Sequence, residues 1–413
     1  MSRETRASAV LAGLDEVRSW QEDLYRHLHA HPELSHQEHD TAAEVSSRLR
    51  EWGYRVHDGV GGTGVVGILS HGDGPTVLLR ADMDALPVRE ETGLPYASTV
   101  EADGTPVMHA CGHDVHVTCL LGAAHLLAAG AQHWNGTLVT VFQPAEETAD
   151  GARGMVEDGL HELVPRPDVA LGQHVLPFRA GQVATNPGPT LAAGDSMRIT
   201  VYGRGAHGSM PQSAVDPVVL ASMIVVRLQT IVSREVAPSE PVVLTVGSIR
   251  AGSKSNIIPD DAVIELNLRT YDEQVRTTVL KAIERIVTAE CHASNSPREP
   301  RFELFGRYPL TDNNPDVTRR VADAFADFFG DDATALGRWS ASEDFSDLVG
   351  DHGIAYSYWG IGGIDPEQYD RAAREGRLGQ DIPANHSPGF APAIQPTLDV
   401  GTQALVVAAL EWL

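Results

Sequence analysis

The sequence predicts an α/β protein in which a mostly parallel central sheet, flanked by helices, carries an inserted α+β domain. Three observations point there. Strand-like and helix-like segments alternate between residues 75 and 174, the order that builds a parallel layer. Near Leu191 the texture changes to strands and helices in β-α-β-β-α order. At 413 residues, the chain is long enough for two or three domains, each with its own core. The expected division is 1–190 for the first part of the host domain, 191–305 for the insert and 306–413 for the second part.

Taken in order, residues 14–30 place Leu14, Val17, Leu24 and Leu28 at helical spacing, and Pro32 ends the run. A second helix follows over 41–52. His27, His29, His31 and His36 are scattered over a helix and its loop and read as surface and packing residues. Gly59-Val60-Gly61-Gly62-Thr63-Gly64 matches the dinucleotide fingerprint, but residues 65–70 read as a strand where pyrophosphate binding needs a helix N-terminus. The stretch is expected to be a hairpin loop. Residues 75–84 form a buried strand that ends in Asp82 and Asp84, which period two places on the same side of the chain. In open sheets the carboxyl ends of strands are where sites assemble, although the pair could also cap a turn before Pro87.

Met108-His109-Ala110-Cys111-Gly112-His113-Asp114-Val115-His116 packs three histidines, a thiol and a carboxylate into one short stretch before an apolar helix that runs to Gly130. Thiolate and neutral imidazole are good ligands for zinc and similar metals, and Cys111 and His113 stand two apart. Asp114 is favoured near the helix N-terminus. A strand over 137–142 then delivers Gln143-Pro144-Ala145-Glu146-Glu147, where adjacent side chains diverge so that one can bind metal while the other exchanges protons. A third strand, 168–172, delivers Gln173 and His174 at its end. A potential ligand at every strand end strengthens the metal reading beyond any one motif.

In the insert, strands are expected over 196–202, 242–249, 262–269 and 301–304, with helices over 215–233 and 273–291, the split βαβ (ferredoxin-like) order. Beyond it come a helix over 317–329, Asn385-His386, and a final apolar helix over 397–413. The net charge of -25 argues against nucleic acid or an anionic membrane as partner. The first twenty residues lack an apolar core suited to a signal peptide, and no window is expected to approach a membrane span, the best candidate being 218–226. Three cysteines, Cys111, Cys119 and Cys291, do not make a disulfide framework, so a cytoplasmic setting is expected.

Seven motifs occur in one order: Arg80-Ala81-Asp82-Met83-Asp84-Ala85-Leu86-Pro87, the cluster 109–116, Gln143 to Glu147, Gly172-Gln173-His174, Ala206-His207-Gly208-Ser209-Met210-Pro211, Asn256-Ile257-Ile258-Pro259-Asp260 and Asn385-His386. Together they resemble the metal-dependent amidohydrolases that include hippurate hydrolases, N-acyl-amino-acid amidohydrolases and indole-acetyl-amino-acid hydrolases, within the wider family of aminoacylases and bacterial glutamate carboxypeptidases. The resemblance runs over residues 24–390. It implies a di-metal exopeptidase-like catalytic domain whose insert serves as lid and dimerisation domain, in a homodimer or tetramer. Carried over by position, it implies Cys111, His113, Glu147, His174 and His386 as ligands of two divalent ions (zinc, manganese or cobalt), and Glu146 as general base. It implies His207 as an oxyanion donor from the partner's lid, and Asn256 and Arg269 as candidates to grip a substrate carboxylate. Asp82, Asp84 and Asp114 would be supporting residues. The wider family has a histidine where Asp82 stands, and a bridging aspartate near His113. The implied reaction is hydrolysis of an N-acyl amino acid to a carboxylic acid and a free amino acid. A dipeptidase or carboxypeptidase is the nearest rival, while a non-catalytic metal-binding protein would have no use for Glu146 or a lid.

Overall fold

The structure, a computed structural model, describes residues 3–413. The chain forms two compact units: one comprises the residues up to Gly188, Asp312–Gly337 and Asp344–Leu413, the other Pro189–Thr311 and Arg338–Glu343.

In the first unit, α1 (Leu14–Ala30) buries Leu14, Val17, Leu24 and Leu28, and also Gln21 and His29. The Glu33 carboxylate accepts the Asp40 and Thr41 N–H groups, both at 2.9 Å, and so satisfies the first turn of α2 (His39–Glu51). The glycine-rich stretch is the turn of a hairpin between β1 (Arg55–Val60) and β2 (Gly64–His71), as expected. Next come β3 (Thr76–Asp82), buried throughout, α3 (His113–Ala129), β4 (Gly136–Gln143), β5 (Val169–Arg179) and β6 (Val183–Thr185).

The second unit contains β7 (Ala193–Tyr202), α4 (Pro217–Thr230), β8 (Val242–Ala251), β9 (Asp261–Thr270), α5 (Glu273–Ala293) and β10 (Arg301–Tyr308). Its sheet order is β8-β9-β7-β10, antiparallel throughout, so the two helices cover one face as the split βαβ pattern requires. Leu220, Ile224 and Leu228 of α4 pack with Ile283, Ile286 and Val287 of α5 and with Ile199, Ile264 and Leu268 of the sheet. One expectation needs correction here. Helical geometry continues from Pro217 to Glu235, and by length and composition this run could cross a membrane. It exceeds 218–226 because Arg227, Gln229 and Thr230 end the apolar run without interrupting the helix.

The first unit resumes with α6 (Pro315–Phe329), β11 (Ala333–Ala335), β12 (Tyr356–Ile364) and α7 (Ile394–Ala409). Its sheet runs β1-β2-β4-β3-β5-β12-β6-β11. The four central strands, β4, β3, β5 and β12, are mutually parallel. The sheet is mixed because β1 and β2 join antiparallel through a tight turn, β2 continues antiparallel onto β4, and β6 runs against β12. Helix α3 is apolar nearly all round because it packs against α1, α7 and the sheet together.

The sequence places His174 just beyond a strand end, whereas β5 continues through it to Arg179. Pairing with β12 sustains the strand, with His174 opposite Gly360. On its other side β5 pairs with β3 only as far as Gly172 opposite Arg80. His174 therefore lies past the paired part of β3, where that edge of β5 is open.

Candidate metal centre

The centre is built where β3, β4 and β5 approach the start of α3. Cys111 and His113 are separated by Gly112 at φ 82°, the left-handed region. A Cβ there would lie 2.4 Å from Val175 Cγ1, so only glycine lets the Cys111 loop close against β5 while His113 begins the helix. The resulting donor atoms fall into overlapping groups, each within 4.8 Å: Cys111, His113 and His174; Cys111, Glu147 and His386; His113, Glu146 and Glu147; and Asp82, His113 and His116.

Hydrogen bonds select which imidazole nitrogen faces this space. His174 Nδ1 lies 2.7 Å from the Val175 carbonyl, which can only accept, so the proton is on Nδ1 and the Nε2 lone pair points to Cys111 Sγ at 3.5 Å. His113 Nδ1 lies 3.3 Å from Asp84 Oδ1, which leaves its buried Nε2 outside any hydrogen bond, facing Asp82 Oδ2 at 3.6 Å and Glu147 Oε1 at 3.9 Å. A carboxylate or carbonyl behind each imidazole is the usual support of a metal-ligating histidine. A buried nitrogen lone pair aimed at carboxylates and a thiol fits a divalent cation.

The carboxylates hold the frame. Asp84 accepts from Ser35 Oγ at 2.6 Å, Glu146 N at 3.1 Å and Glu147 N at 3.0 Å, in addition to His113. It thus positions both glutamates through their backbone. Just before them, Ala145 has φ 51° and donates its N–H to Glu38 Oε1 at 2.8 Å. Asp82 receives Arg80 Nη1 at 2.7 Å and His116 Nδ1 at 2.5 Å, while His116 Nε2 accepts from Val175 N at 2.8 Å. On the far side, the Asn385 amide donates to the carbonyls of Cys111 at 3.1 Å and Val175 at 3.2 Å. His386, at φ 69°, donates its N–H to Ala110 O at 2.7 Å and places Nε2 3.2 Å from Glu147 Oε1.

Electrostatics agree with a site whose carboxylates and thiol draw positive charge onto its imidazoles. Burial disfavours a charged His113, yet Asp82, Cys111 and Asp84 raise its pKa well above the ordinary imidazole value. Hydrogen bonds to Cys111 and Glu147 raise His386 to about 10. Burial and the nearby Glu147 charge push the Cys111 thiol up. His174 is held well below the ordinary value by burial and by His116. A cation bound at these nitrogens would replace the protons that the carboxylates otherwise attract.

Of the residues the sequence singles out, Cys111, His113, Glu146, Glu147, His174 and His386 are brought together, with Asp82 and Asp84 beside them. Asp114 faces away, bonded to His29 at 2.7 Å. His207 and Asn256 lie in the second unit on one two-stranded ribbon, with His207 opposite Ile257 and Gly208 N bonded to Asn256 O. Arg269, on β9, donates Nε to Asn267 Oδ1 at 2.9 Å and Nη1 to Ser342 Oγ. His116, Arg80 and Asn385 are close supports to which the sequence reading attached no function. His116 was detectable, since it lies three residues from His113 on one helix face.

Fold and site define a metal-dependent hydrolase. A carboxylate-flanked cluster of imidazole and thiol donors at the ends of parallel strands is the arrangement that activates water. The profile of "Peptidase family M20/M25/M40" matches residues 78–374, and the chain belongs to that family. Thermostable carboxypeptidase 1 of Saccharolobus solfataricus is 40% identical over 311 residues, 74% of this chain and 77% of that protein. Hippurate hydrolase of Campylobacter jejuni is 39% identical over 341 residues, 82% of this chain and 87% of that protein. The crystal structure of a dinuclear metal-binding M20 peptidase from Bacillus subtilis superposes with a TM-score of 0.77 at 28% identity, covering 96% of this chain and 98% of that one. The chain is accordingly a metal-dependent amidohydrolase.

Proposed function

We propose that the protein hydrolyses the amide bond of a hippurate-like N-acyl amino acid, releasing a carboxylic acid and a free amino acid. The carrying observation is that two imidazole lone pairs, one thiol and Glu147 converge while Glu146 lies beside them. Cys111, His113, Glu147, His174 and His386 would hold two divalent ions, in keeping with the dinuclear relative; zinc, manganese and cobalt are all compatible with such donors. Ions bound there would supply Lewis-acid chemistry, lowering the pKa of water toward about 7 and drawing charge from the carbonyl.

The chain's own residues do the rest. Glu146 takes a proton from the attacking water as its oxygen adds to the carbonyl carbon. It then returns that proton to the nitrogen as the C–N bond breaks, so the amine leaves neutral. Asp84 keeps Glu146 in place through its backbone N–H. His207 is proposed as a donor to the oxyanion from the partner subunit, and Asn256 and Arg269 as the grip on the substrate carboxylate.

A homodimer through the second unit completes the reading. Helix α4 exposes Val219 (58%), Met223 (53%) and Val226 (67%) in a row, and β8, an unpaired sheet edge, exposes Val243 (51%). An apolar stripe beside an open strand edge suits a second copy. The cytoplasmic setting belongs to this reading and suits three cysteines that are all free.

Similarity to a carboxypeptidase supports a second reading, peptide hydrolysis at the same centre. A panel of N-acyl amino acids and dipeptides assayed side by side separates the two. The mechanism itself is tested by Glu146→Gln, which should keep the metal content and fold while losing at least about a hundredfold in turnover of benzoyl-glycine. Turnover equal to the parent would remove Glu146 from the reaction.

A further inference from the structure

Residues 86–108 leave the site and return to it, pinned at their ends by the pairing of Leu86 with Met108. Between these ends lies little regular structure, so side chains must hold the strap. Glu90 does so. Its covered carboxylate accepts from Ser98 N at 2.6 Å and from Thr92 Oγ1, and meets His29 Nε2 at 3.2 Å. The other nitrogen, His29 Nδ1, reaches Asp114 Oδ2 at 2.7 Å, one residue beyond His113.

The next residue along the strap, Glu91, donates its N–H to Pro388 O at 2.8 Å, two residues beyond His386. Tyr25, one turn before His29 on α1, donates its hydroxyl to Pro392 O at 3.2 Å. The His386 segment is therefore tied to the strap, the strap to His29, and His29 to the helix that starts with His113.

We propose that His29 is a positioning residue: by bridging Asp114 and Glu90 it fixes the His386 segment against the Cys111–His113 loop, and so sets the affinity of the donor set that contains His386. Both nitrogens face carboxylates, so both donate, and the ring is a buried cation between two anions. Burial lowers its pKa, but the bonds to Asp114 and Glu90 hold it at about 10. Nothing in the proposed chemistry uses His29. It acts through Glu90 and the strap, and the inference rests on the metal reading above.

The test is release of zinc from the metal-loaded full chain to a chromogenic chelator. An asparagine amide imitates Nδ1 and a glutamine amide imitates Nε2. His29→Asn therefore keeps the bond to Asp114 and breaks the tie to the strap, whereas His29→Gln keeps the tie to Glu90. Expected is release of one of the two ions about 10 to 100 times faster in both variants, since each opens one end of the bridge between Asp114 and Glu90, matching the effect of losing a support behind a ligand. Glu91→Pro, at an exposed position, removes the N–H that holds Pro388 and restricts the backbone at 90 and 91, and should imitate His29→Asn. Parental release from His29→Asn and Glu91→Pro would overturn the proposal, as would loss of both ions in step with unfolding. Cys111→Ala is the separate control. If it too releases at the parental rate, the metal reading fails; if it alone loses metal, only the tie is wrong.

Discussion

Asp84→Asn is the substitution whose cost the structure defines most closely. The carboxylate of Asp84 is 1% exposed and accepts four hydrogen bonds, from Ser35 Oγ, His113 Nδ1, Glu146 N and Glu147 N. An amide offers a single acceptor oxygen. It can keep two of these donors, and it turns an NH2 group toward the other two. Bonds to an ionised acceptor are worth roughly 1.5–3 kcal/mol each, so losing two costs about 3–6 kcal/mol before the loop relaxes. For a unit of this size that corresponds to a fall on the order of 10 °C in unfolding temperature. Turnover should fall further than stability implies, because the displaced backbone belongs to Glu146 and Glu147, and a shift near 1 Å can cost about a hundredfold. Circular dichroism melting with a chelator present isolates the frame from bound metal, and hydrolysis of an N-acyl amino acid reports the site. Ser35→Ala, which removes one of the four donors, sets the scale at roughly 1.5–3 kcal/mol. If Asp84→Asn melts within about 2 °C of the parent and retains its turnover, Asp84 is not the template of this loop.

Two further outcomes follow from the same geometry. The folded pKa of His29 is raised to about 10, so its bridge to Asp114 and Glu90 is fully present below the unfolded value near 6.5 and is lost as pH rises through about 10. Stability measured by denaturant titration should therefore decline between pH 7 and 10.5 in the parent and decline less in His29→Gln; parallel curves would show that His29 contributes no such linkage. Met223→Glu, on the exposed stripe of α4, should convert the proposed dimer to a monomer in light scattering without lowering the melting temperature of the second unit. An unchanged mass would place the interface elsewhere.

Much of the host layer was legible because it is written in local pattern. The apolar run of β3, the apolar helix after His113 and the hairpin glycines each follow from a few adjacent residues. The donors were legible for a related reason: Cys111, His113, Glu146 and Glu147 are chemically distinctive and lie near strand ends. The continuation of β5 through His174 was not legible, because pairing with β12, drawn from residues far along the chain, sustains that strand. Nor was the 217–235 helix, where polar residues interrupt the hydropathy without interrupting the hydrogen bonding. His29 was read among the surface and packing histidines, and only the approach of Asp114 and Glu90 reveals a buried cation.

The sequence by itself determined which atoms are available: the soft and imidazole donors, the paired carboxylates, the glycine that lets Cys111 turn, and the alternation that builds a parallel layer. These depend on side-chain chemistry and on backbone preferences that act over a few residues. Only the tertiary structure decided how the donors are presented. Asp84 and the Val175 carbonyl select the nitrogens through which His113 and His174 face the site, Asn385 brings His386 to Cys111, and Arg80 and His116 hold Asp82. A hydrogen bond between residues as far apart as Asn385 and Cys111 leaves no trace in local pattern, because chain packing alone sets the distance between its partners.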